Sequence, residues 1–498
     1  MTPNPKLQAL LAGALIGDAL GAPINGLKAG HIGQLVPGEW YDDYLKPEDA
    51  ILQPEKPNRN ALPGLHTILG TTLLAYTGHR TDQSTLQHAS CRGAKALVDL
   101  AELPSPTPTL EPLPHLTGVL RKPGKPLKES LTRWGAEYPW EPADHLTKNQ
   151  PSEGASPCFA ALAFLLNPDL SDPEVPVADN DLAHGLLLGR FTHLRESTLV
   201  ACAVVVEAAR LLLACEEPKK LNGKALAEQL HTFARTTEDH LRDSELPNLW
   251  SVLGWGFPVQ RFSECLSPIA SLLEVEDLGL IEKTLIKQAS EFSPDRGVTH
   301  VQHGFAPVLI PWVLYKALGN SSHSAAVEDA LNRGGEASLA AGLIGALLGA
   351  RYGMEHIREE WVSGLLIWPQ ALAFLENPGE NSEQDWLSTE QRLTEKEEAF
   401  RKPIYERAHK NAPQAMKPKK DKKPAPVADT TRHSDKLPFA PPPEAWLGTE
   451  AEAELAPWEK QRLKAERGKK RIDWKEDRRQ QQRDLAEKQA KQNQDDSD

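Results

Sequence analysis

Two apolar segments carry a small residue at every fourth position, and this pattern constrains the fold more than any other feature of the chain. Residues four apart share one face of a helix, and a face without side chains lets another backbone approach closely. Each helical glycine costs about 1 kcal/mol relative to alanine, so a close contact has to offset that cost. We therefore predict two tightly packed helices and, as a sharper hypothesis, that they meet at the centre of the fold and flank a site. The small residues are Gly13, Gly17 and Gly21 in the first segment, and Ala341, Gly345 and Gly349 in the second.

The apolar residues from Leu7 to about Phe374 follow helical spacing, and alternating strand patterns are almost absent. The clearest helical segment is Leu182–Cys215. Aromatic residues make up only 6% of the 498 residues, so aliphatic side chains have to build the core. We predict an all-α domain in which Pro104–Pro126 and Asp169–Asp181 are loops.

Composition changes beyond residue 375, and so does the charge. Residues 376–498 hold 26 basic and 26 acidic side chains, which places the net charge of −13 in the first 375 residues. An acidic globular part argues against nucleic-acid binding through that part. We predict a helical domain over 1–375, a linker rich in proline and lysine over 376–444, and a charged tail over 445–498 that is disordered or helical. Removing everything after about residue 375 is then expected to leave the melting temperature nearly unchanged.

The tail also allows a second interpretation, in which it is an arm that binds a protein partner or touches RNA. Its candidate anchors are Trp446, Trp458 and Trp474.

Cysteine usage and hydropathy indicate a protein of the reducing cytoplasm. The five cysteines are dispersed and form no CxxC pair, which favours reduced thiols in the core. We find no signal sequence and no apolar run of the about 20 residues that cross a bilayer. We therefore expect a soluble cytoplasmic protein that does not bind a membrane. The cysteines are Cys91, Cys158, Cys202, Cys215 and Cys265.

A few polar residues stand out against the apolar helices. Asp18 is the one charge in the first apolar segment, where it is either a satisfied buried group or part of a site. Gly334-Gly335-Glu336 precedes the second segment, either as a simple turn or as backbone amides that hold an anion such as phosphate. His66 and His193 either line a cleft or belong to the core or surface. His300-Val-Gln-His303 has zinc-like spacing but no third ligand, which favours a solvated helix end.

These segments, in this order, resemble the ADP-ribosylglycohydrolase family, which includes the dinitrogenase-reductase-activating glycohydrolases. The resemblance implies an orthogonal bundle of helices around a cleft. It also implies that active members hold two magnesium or manganese ions there and cleave the bond between ADP-ribose and its acceptor. The matching segments are residues 13–26, 62–75, 152–162, 192–196, 304–309 and 332–353.

The chain departs from the family at nearly every position that the resemblance assigns to the metal site. Hard divalent cations need several oxygen ligands, mostly carboxylates. Where the family has Thr-Asp-Asp-Thr, this chain has Thr67, Ile68, Leu69 and Gly70. Where the family has Asp-Thr-Asp-Thr, it has Glu336, Ala337, Ser338 and Leu339. The position of the glutamate that follows the family's first helix is taken by Asn25. The residual oxygen ligands are Thr67, Glu336 and Ser338, enough for one weak ion at most.

We therefore predict a pseudoenzyme that needs no cofactor and binds either an ADP-ribose-like ligand in the old cleft or a protein partner through its tail. The alternative is an active hydrolase of ADP-ribosylated protein or of a small ADP-ribosyl compound, with Mg²⁺ or Mn²⁺ and with Asp18 and Glu153 as substitute ligands. The candidate ligand-binding residues are Asp18, Gly154, Ser156, His193, Gly334 and Gly335.

Overall fold

The computed structural model describes residues 4–35, 40–45, 62–77, 86–103, 120, 124–134, 153–166, 192–193, 195–244, 247, 260–376 and 383–411. Within these ranges the chain is built from helices, and the prediction of an all-α fold is confirmed. The β-type pairing described there is limited to two isolated bridges, between Lys28 and Gly334 and between Gly154 and Phe305.

The helices of the described ranges run in chain order, with short 3₁₀ turns between some of them. They are α1 (Pro5–Gly21), α2 (Ala29–Leu35), α3 (Ile68–Thr77), α4 (Leu86–Glu102), α5 (Lys125–Trp134), α6 (Pro157–Ala161), α7 (Glu196–Ala214), α8 (Gly223–Asp243), α9 (Phe262–Leu266), α10 (Ile269–Leu272), α11 (Leu278–Phe292), α12 (Ala306–Gly319), α13 (His323–Arg333), α14 (Ala337–Tyr352), α15 (Glu359–Gly364), α16 (Trp368–Glu376) and α17 (Glu383–Asn411).

Helices α1 and α14 pack backbone against backbone along their small-residue faces. A Cβ placed on Gly13 would lie 2.1 Å from the carbonyl oxygen of Gly345, and one on Gly17 would lie 2.2 Å from that of Ala341. Only glycine fits at such a distance, because real Cβ atoms stay well beyond 3 Å from neighbouring atoms. The prediction of two tightly packed helices is confirmed. Around this pair, α13 and α7 pack against α14, and α6 and α8 pack against α7.

Thiols of the described cysteines lie mostly in the core, as predicted. Cys158, Cys202 and Cys265 are buried and unbridged, and Cys215 is partly exposed. The sulfur atoms of Cys158 and Cys202 are 3.8 Å apart, too far for a disulfide bond. The Cys91 side chain lies outside the described residues.

Two helical segments have the length and hydropathy of a membrane span, which differs from our expectation that no apolar run is long enough. They are Pro5–Ile24 and Glu196–Ala214, and 94% and 78% of their apolar windows are buried inside the fold. Packing between helices therefore accounts for their composition.

Helix α7 begins later than the predicted segment Leu182–Cys215. Arg195 has an extended backbone with φ of −72° and ψ of 136°, so the helix starts at Glu196. The acidic side chain of Glu196 in the first turn suits the positive end of the helix dipole. Residues 182–191 lie outside the described residues, as do 169–181 and most of the predicted loop at 104–126.

The compact unit extends to Pro413, whereas the predicted domain ends at residue 375. Helix α17 packs against α4 and buries one face, although that face is mainly polar. Its buried residues recur at helical spacing and are Thr389, Glu390, Leu393, Thr394, Glu397 and Arg401. A hydropathy pattern misses such a face. Residues 412–498, with the three candidate tryptophans, lie outside the described residues.

Candidate functional site

Asp18 on α1 is fully buried and serves as an anchor for the first turn of α3. Its Oδ2 accepts hydrogen bonds from the backbone amides of Thr67 and Gly70, each at 2.9 Å. Its Oδ1 accepts from the hydroxyl of Thr67 at 2.5 Å and from the hydroxyl of Ser338 on α14. A carboxylate at a helix N-terminus is favoured by the unpaired amides and by the helix dipole. Asp18 therefore connects α1, α3 and α14, and both oxygen atoms of its carboxylate are occupied by hydrogen bonds within the protein.

Glycine at position 70 makes this arrangement possible. A Cβ on Gly70 would lie 2.9 Å from Oδ2 of Asp18, so a larger residue would push the carboxylate away from the amide. Thr67 completes the cap, because its hydroxyl accepts from the amide of Leu69 at 3.2 Å.

Ile68 and Leu69 occupy the first turn of α3, where the resemblance places two metal-binding carboxylates. Both side chains are partly buried and pack against the hydrophobic core. Neither offers a lone pair to a cation.

The remaining carboxylate of the family pattern, Glu336, pairs with an amide. Nδ2 of Asn25 donates to Oε2 of Glu336 at 3.2 Å, and Oδ1 of Asn25 accepts from the backbone amide of Ser338 at 3.1 Å. Ser338 thus contacts Asn25 through its amide and Asp18 through its hydroxyl. Ala337 is fully buried beside them and contributes no polar side chain. These positions form a hydrogen-bonded network that ties the end of α1 to the start of α14.

Gly334 and Gly335 form the turn before α14 with φ of 73° and 71°, as the prediction of a turn requires. The amide of Gly335 donates to the carbonyl of Leu27 at 2.7 Å, and that of Glu336 donates to the carbonyl of Gln302 at 2.8 Å. These amides are thus used within the protein, so the hypothesis that this turn holds an anion is not supported by its geometry.

Gly154 has a backbone role as well. It forms the bridge with Phe305, and its carbonyl accepts from the hydroxyl of Thr198 at 3.1 Å. The neighbouring Glu153 forms a salt bridge with Arg296 at 3.0 Å. It does not belong to a cluster of acidic side chains that could hold a metal ion among the described residues.

Ser156 and His193 line a small cavity together with Ile68 and Leu69. Its volume is about 80 Å³, and it lies between α3, α5, α6 and the segment at residues 192–193. Of the six candidate ligand-binding residues, these two line this cavity.

His193 is the principal polar group of this cavity. It is 5% exposed, and its Nδ1 lies 2.8 Å from the hydroxyl oxygen of Thr192. Burial lowers the pKa of His193 to about 3, because the imidazolium loses its hydration there. The ring is therefore neutral at physiological pH.

The other predicted histidines lie elsewhere. His66 is fully buried, with Nε2 2.9 Å from Oε1 of Glu390 on α17, and it belongs to the core. His300 and His303 lie in a turn before α12, where Nδ1 of His300 accepts from the amide of Gln302 at 3.1 Å. They are not on a helix end.

Side chains that bind metal ions do not cluster within the described ranges. No three side chains of His, Cys, Asp or Glu gather there closely enough to hold an ion. The donor set offers hydrocarbon at Ile68 and Leu69 and a fully engaged carboxylate at Asp18, so the residues present do not fit a two-metal centre.

Sequence reasoning missed part of the cavity wall. Tyr76, Pro126 and Leu127 line it but were not singled out. The spacing of Leu127, Leu131 and Trp134 is helical and was the available signal for α5, which begins inside the predicted loop.

Comparisons with known proteins give a family and similar solved structures. The family described as ADP-ribosylglycohydrolase matches residues 2–386. A solved structure described as an ADP-ribosylglycohydrolase-related protein complex is similar at 17% sequence identity and a TM-score of 0.45, over 78% of this chain and 98% of its own. No curated protein matches the chain.

Proposed function

The chain belongs to the ADP-ribosylglycohydrolase family, and from that premise we propose that it is a non-catalytic member whose former cleft serves binding. The observation that carries the proposal is the pair Ile68 and Leu69 in the first turn of α3. Hydrocarbon side chains there leave a divalent cation without the carboxylates that offset its loss of hydration.

The residual oxygen atoms support the same conclusion. Asp18 already accepts four hydrogen bonds, and Glu336 accepts one from Asn25. A cation at Asp18 would have to displace the amides of Thr67 and Gly70 and so uncap α3. Asn25 is an amide, which takes up no proton near neutral pH, so it supplies no general base.

The binding function is directed either to a small ligand or to a protein partner. The sequence resemblance suggested an ADP-ribose-like ligand, but pockets for ligands of drug size span roughly 300–1,000 Å³. The cavity at His193 is about 80 Å³. We therefore propose a smaller molecule for the cavity and leave the tail as the element that would contact a protein.

The decisive experiment is an assay for ADP-ribose release from peptides modified on arginine or serine, with Mg²⁺ or Mn²⁺ added. The expected result is no metal-dependent turnover by the native chain, and no change in Glu336→Ala. Metal-dependent release that disappears in Glu336→Ala would overturn the proposal and support an active hydrolase with a reduced metal site.

Thermal unfolding with and without ADP-ribose complements that assay. We expect no shift in the melting temperature, because the cavity is too small to enclose the ligand. A saturable increase would restore the nucleotide-like ligand as the occupant.

A further inference from the structure

The cavity beside Leu69 has a size that limits what it binds. Its volume of about 80 Å³ exceeds the roughly 10–15 Å³ that one water molecule occupies on this measure, and is below the about 150 Å³ of an engineered cavity that binds benzene. A molecule of a few non-hydrogen atoms fits in this volume, and ADP-ribose does not. This space is the "Leu69 cavity" below.

Uncharged groups make up the described wall of the Leu69 cavity. Most of the wall is apolar, and no Asp, Glu, Lys or Arg side chain belongs to it among the described residues. A charged ligand would lose hydration there without an opposite charge to compensate, so it should bind more weakly than an uncharged one. The apolar part of the wall consists of Ile68, Leu69, Tyr76, Pro126, Leu127, Pro157 and Ala160.

Two polar groups in this wall remain available to a ligand. The Nδ1 atom of His193 lies 2.8 Å from the hydroxyl oxygen of Thr192, and this is the hydrogen bond that the described residues give to the ring, so Nε2 remains for a ligand. The hydroxyl of Ser156 is exposed and makes no capping bond to α6. Thr72, in contrast, donates its hydroxyl hydrogen to the carbonyl of Ile68 at 2.6 Å.

The imidazole ring that carries this nitrogen is uncharged at neutral pH. Burial holds its pKa near 3, so at neutral pH it offers one uncharged hydrogen-bonding site and repels no neutral molecule. A hydrogen bond from a ligand to the second nitrogen of this ring, which is 5% exposed as a residue, contributes to the free energy of binding.

We propose that the Leu69 cavity binds a small uncharged molecule, with an apolar body against Ile68 and Leu69 and an amide or hydroxyl group that hydrogen-bonds to His193. The inference rests on the proposed function, because it takes the former cleft as a binding site. It adds the chemical class of the ligand and the side chain that recognises it.

The test compares two probes of one shape that differ in charge, propionamide and propionate, by saturation-transfer NMR on the full chain. Propionamide is expected to bind in the millimolar range and propionate to bind at least about tenfold more weakly, equivalent to about 1.4 kcal/mol. Equal binding of the two probes, or no binding of propionamide, would overturn the inference.

Variants locate the binding. Ala160→Leu fills the cavity and is expected to abolish the propionamide signal, whereas Ala163→Leu makes the same change outside the wall and should preserve it. His193→Phe keeps a planar ring without a hydrogen-bonding nitrogen and should weaken propionamide by about tenfold. Binding that survives both Ala160→Leu and His193→Phe would place the ligand elsewhere and contradict the inference.

Folding is checked by the melting temperature of each variant, and Leu69→Phe replaces Ala160→Leu should that chain fail to fold. Failure of this inference is distinguishable from failure of the proposed function. An inactive chain that binds no propionamide overturns the inference alone, whereas metal-dependent release of ADP-ribose overturns the proposed function.

Discussion

At the scale of single residues, the Asp18 carboxylate connects three helices that are distant in sequence. Thr67 lies 49 residues away and Ser338 lies 320 residues away, yet both donate to it. Hydrogen bonds to a charged group are worth about 1.5–3 kcal/mol each, and a buried donor left without its acceptor costs about 1–3 kcal/mol.

Asp18→Asn is therefore expected to lower the free energy of unfolding by about 3 kcal/mol. The amide nitrogen of asparagine is itself a donor, so some of the N–H and O–H groups that now donate to Asp18 would lose their acceptor. Ser338→Ala removes one of the four donors and should cost only about 1–2 kcal/mol. Urea denaturation of the two variants measures both effects. A cost for Asp18→Asn no larger than that for Ser338→Ala would show that the carboxylate does not anchor α3.

The buried His193 is expected to make the stability of the fold depend on pH. Burial lowers its pKa to about 3 from the ordinary 6.5, so the unfolded chain binds a proton at this residue that the folded chain does not. The fold carries no penalty from His193 above pH 6.5 and is destabilised as pH falls towards 3, by up to about 1.4 kcal/mol per pH unit.

The measurement compares His193→Phe with the native chain by urea denaturation between pH 8 and pH 4. The variant lacks the titrating ring, so its stability relative to the native chain should rise as pH falls below 6.5. A difference that is constant over this range would show that His193 keeps its ordinary pKa. His323, whose pKa burial lowers to about 4, remains in both chains and does not affect the comparison.

The lost metal ligands of the site can be read from the sequence, whereas its hydrogen-bonded network cannot. Ile68 and Leu69 reveal the loss of metal-binding carboxylates directly, because a hydrocarbon excludes ligation in any fold. The role of Asp18 is not visible, since its donors reach it only through tertiary packing. The same is true of the Gly335 amide, for which the sequence allowed either a simple turn or an anion site, and which donates to the carbonyl of Leu27.

At the scale of elements, the small-residue face was the most informative signal. Its period of four residues is local, so it shows in the sequence which faces of α1 and α14 come into contact. Helix α17 gave no such signal, because its buried face includes the charged residues Glu390, Glu397 and Arg401. A sequence pattern with charges at these positions predicts a solvent-exposed face.

Substitution at the α1–α14 contact tests the importance of close approach. Gly17→Ala adds a Cβ 2.2 Å from the carbonyl of Ala341, so the helices have to separate. We expect a loss of at least about 1–3 kcal/mol despite the better helix propensity of alanine. The matched control is Gly33→Ala on α2, where nothing lies within 4 Å.

Gly33→Ala should raise the free energy of unfolding by about 0.5–1 kcal/mol, because only propensity and chain entropy change there. Urea denaturation of both variants provides the comparison. Equal effects of the two substitutions would mean that α1 and α14 are farther apart than the structure shows.

At the scale of the whole molecule, the compact unit includes α17, although composition alone assigns that segment to a linker. Leu393 is 5% exposed, and Glu390 lies fully buried opposite His66, the residue just before the Thr67 cap. Removing α17 would expose both His66 and the apolar surface under Leu393. It would also loosen the start of α3, where Asp18 binds.

A chain that ends at residue 375 is therefore expected to melt several degrees below the full chain, whereas one that ends at Pro413 should melt within about 2 °C of it. This reverses the expectation from composition. Glu390→Gln in the full chain separates the His66–Glu390 contact from the rest of the α17 packing, because it replaces the carboxylate and keeps the helix, so its effect should be smaller than that of truncation at 375. Equal melting temperatures for the chains ending at 375 and 413 would mean that α17 adds no stability, and the domain would then end where the sequence placed it. Differential scanning calorimetry of the four chains decides between these outcomes.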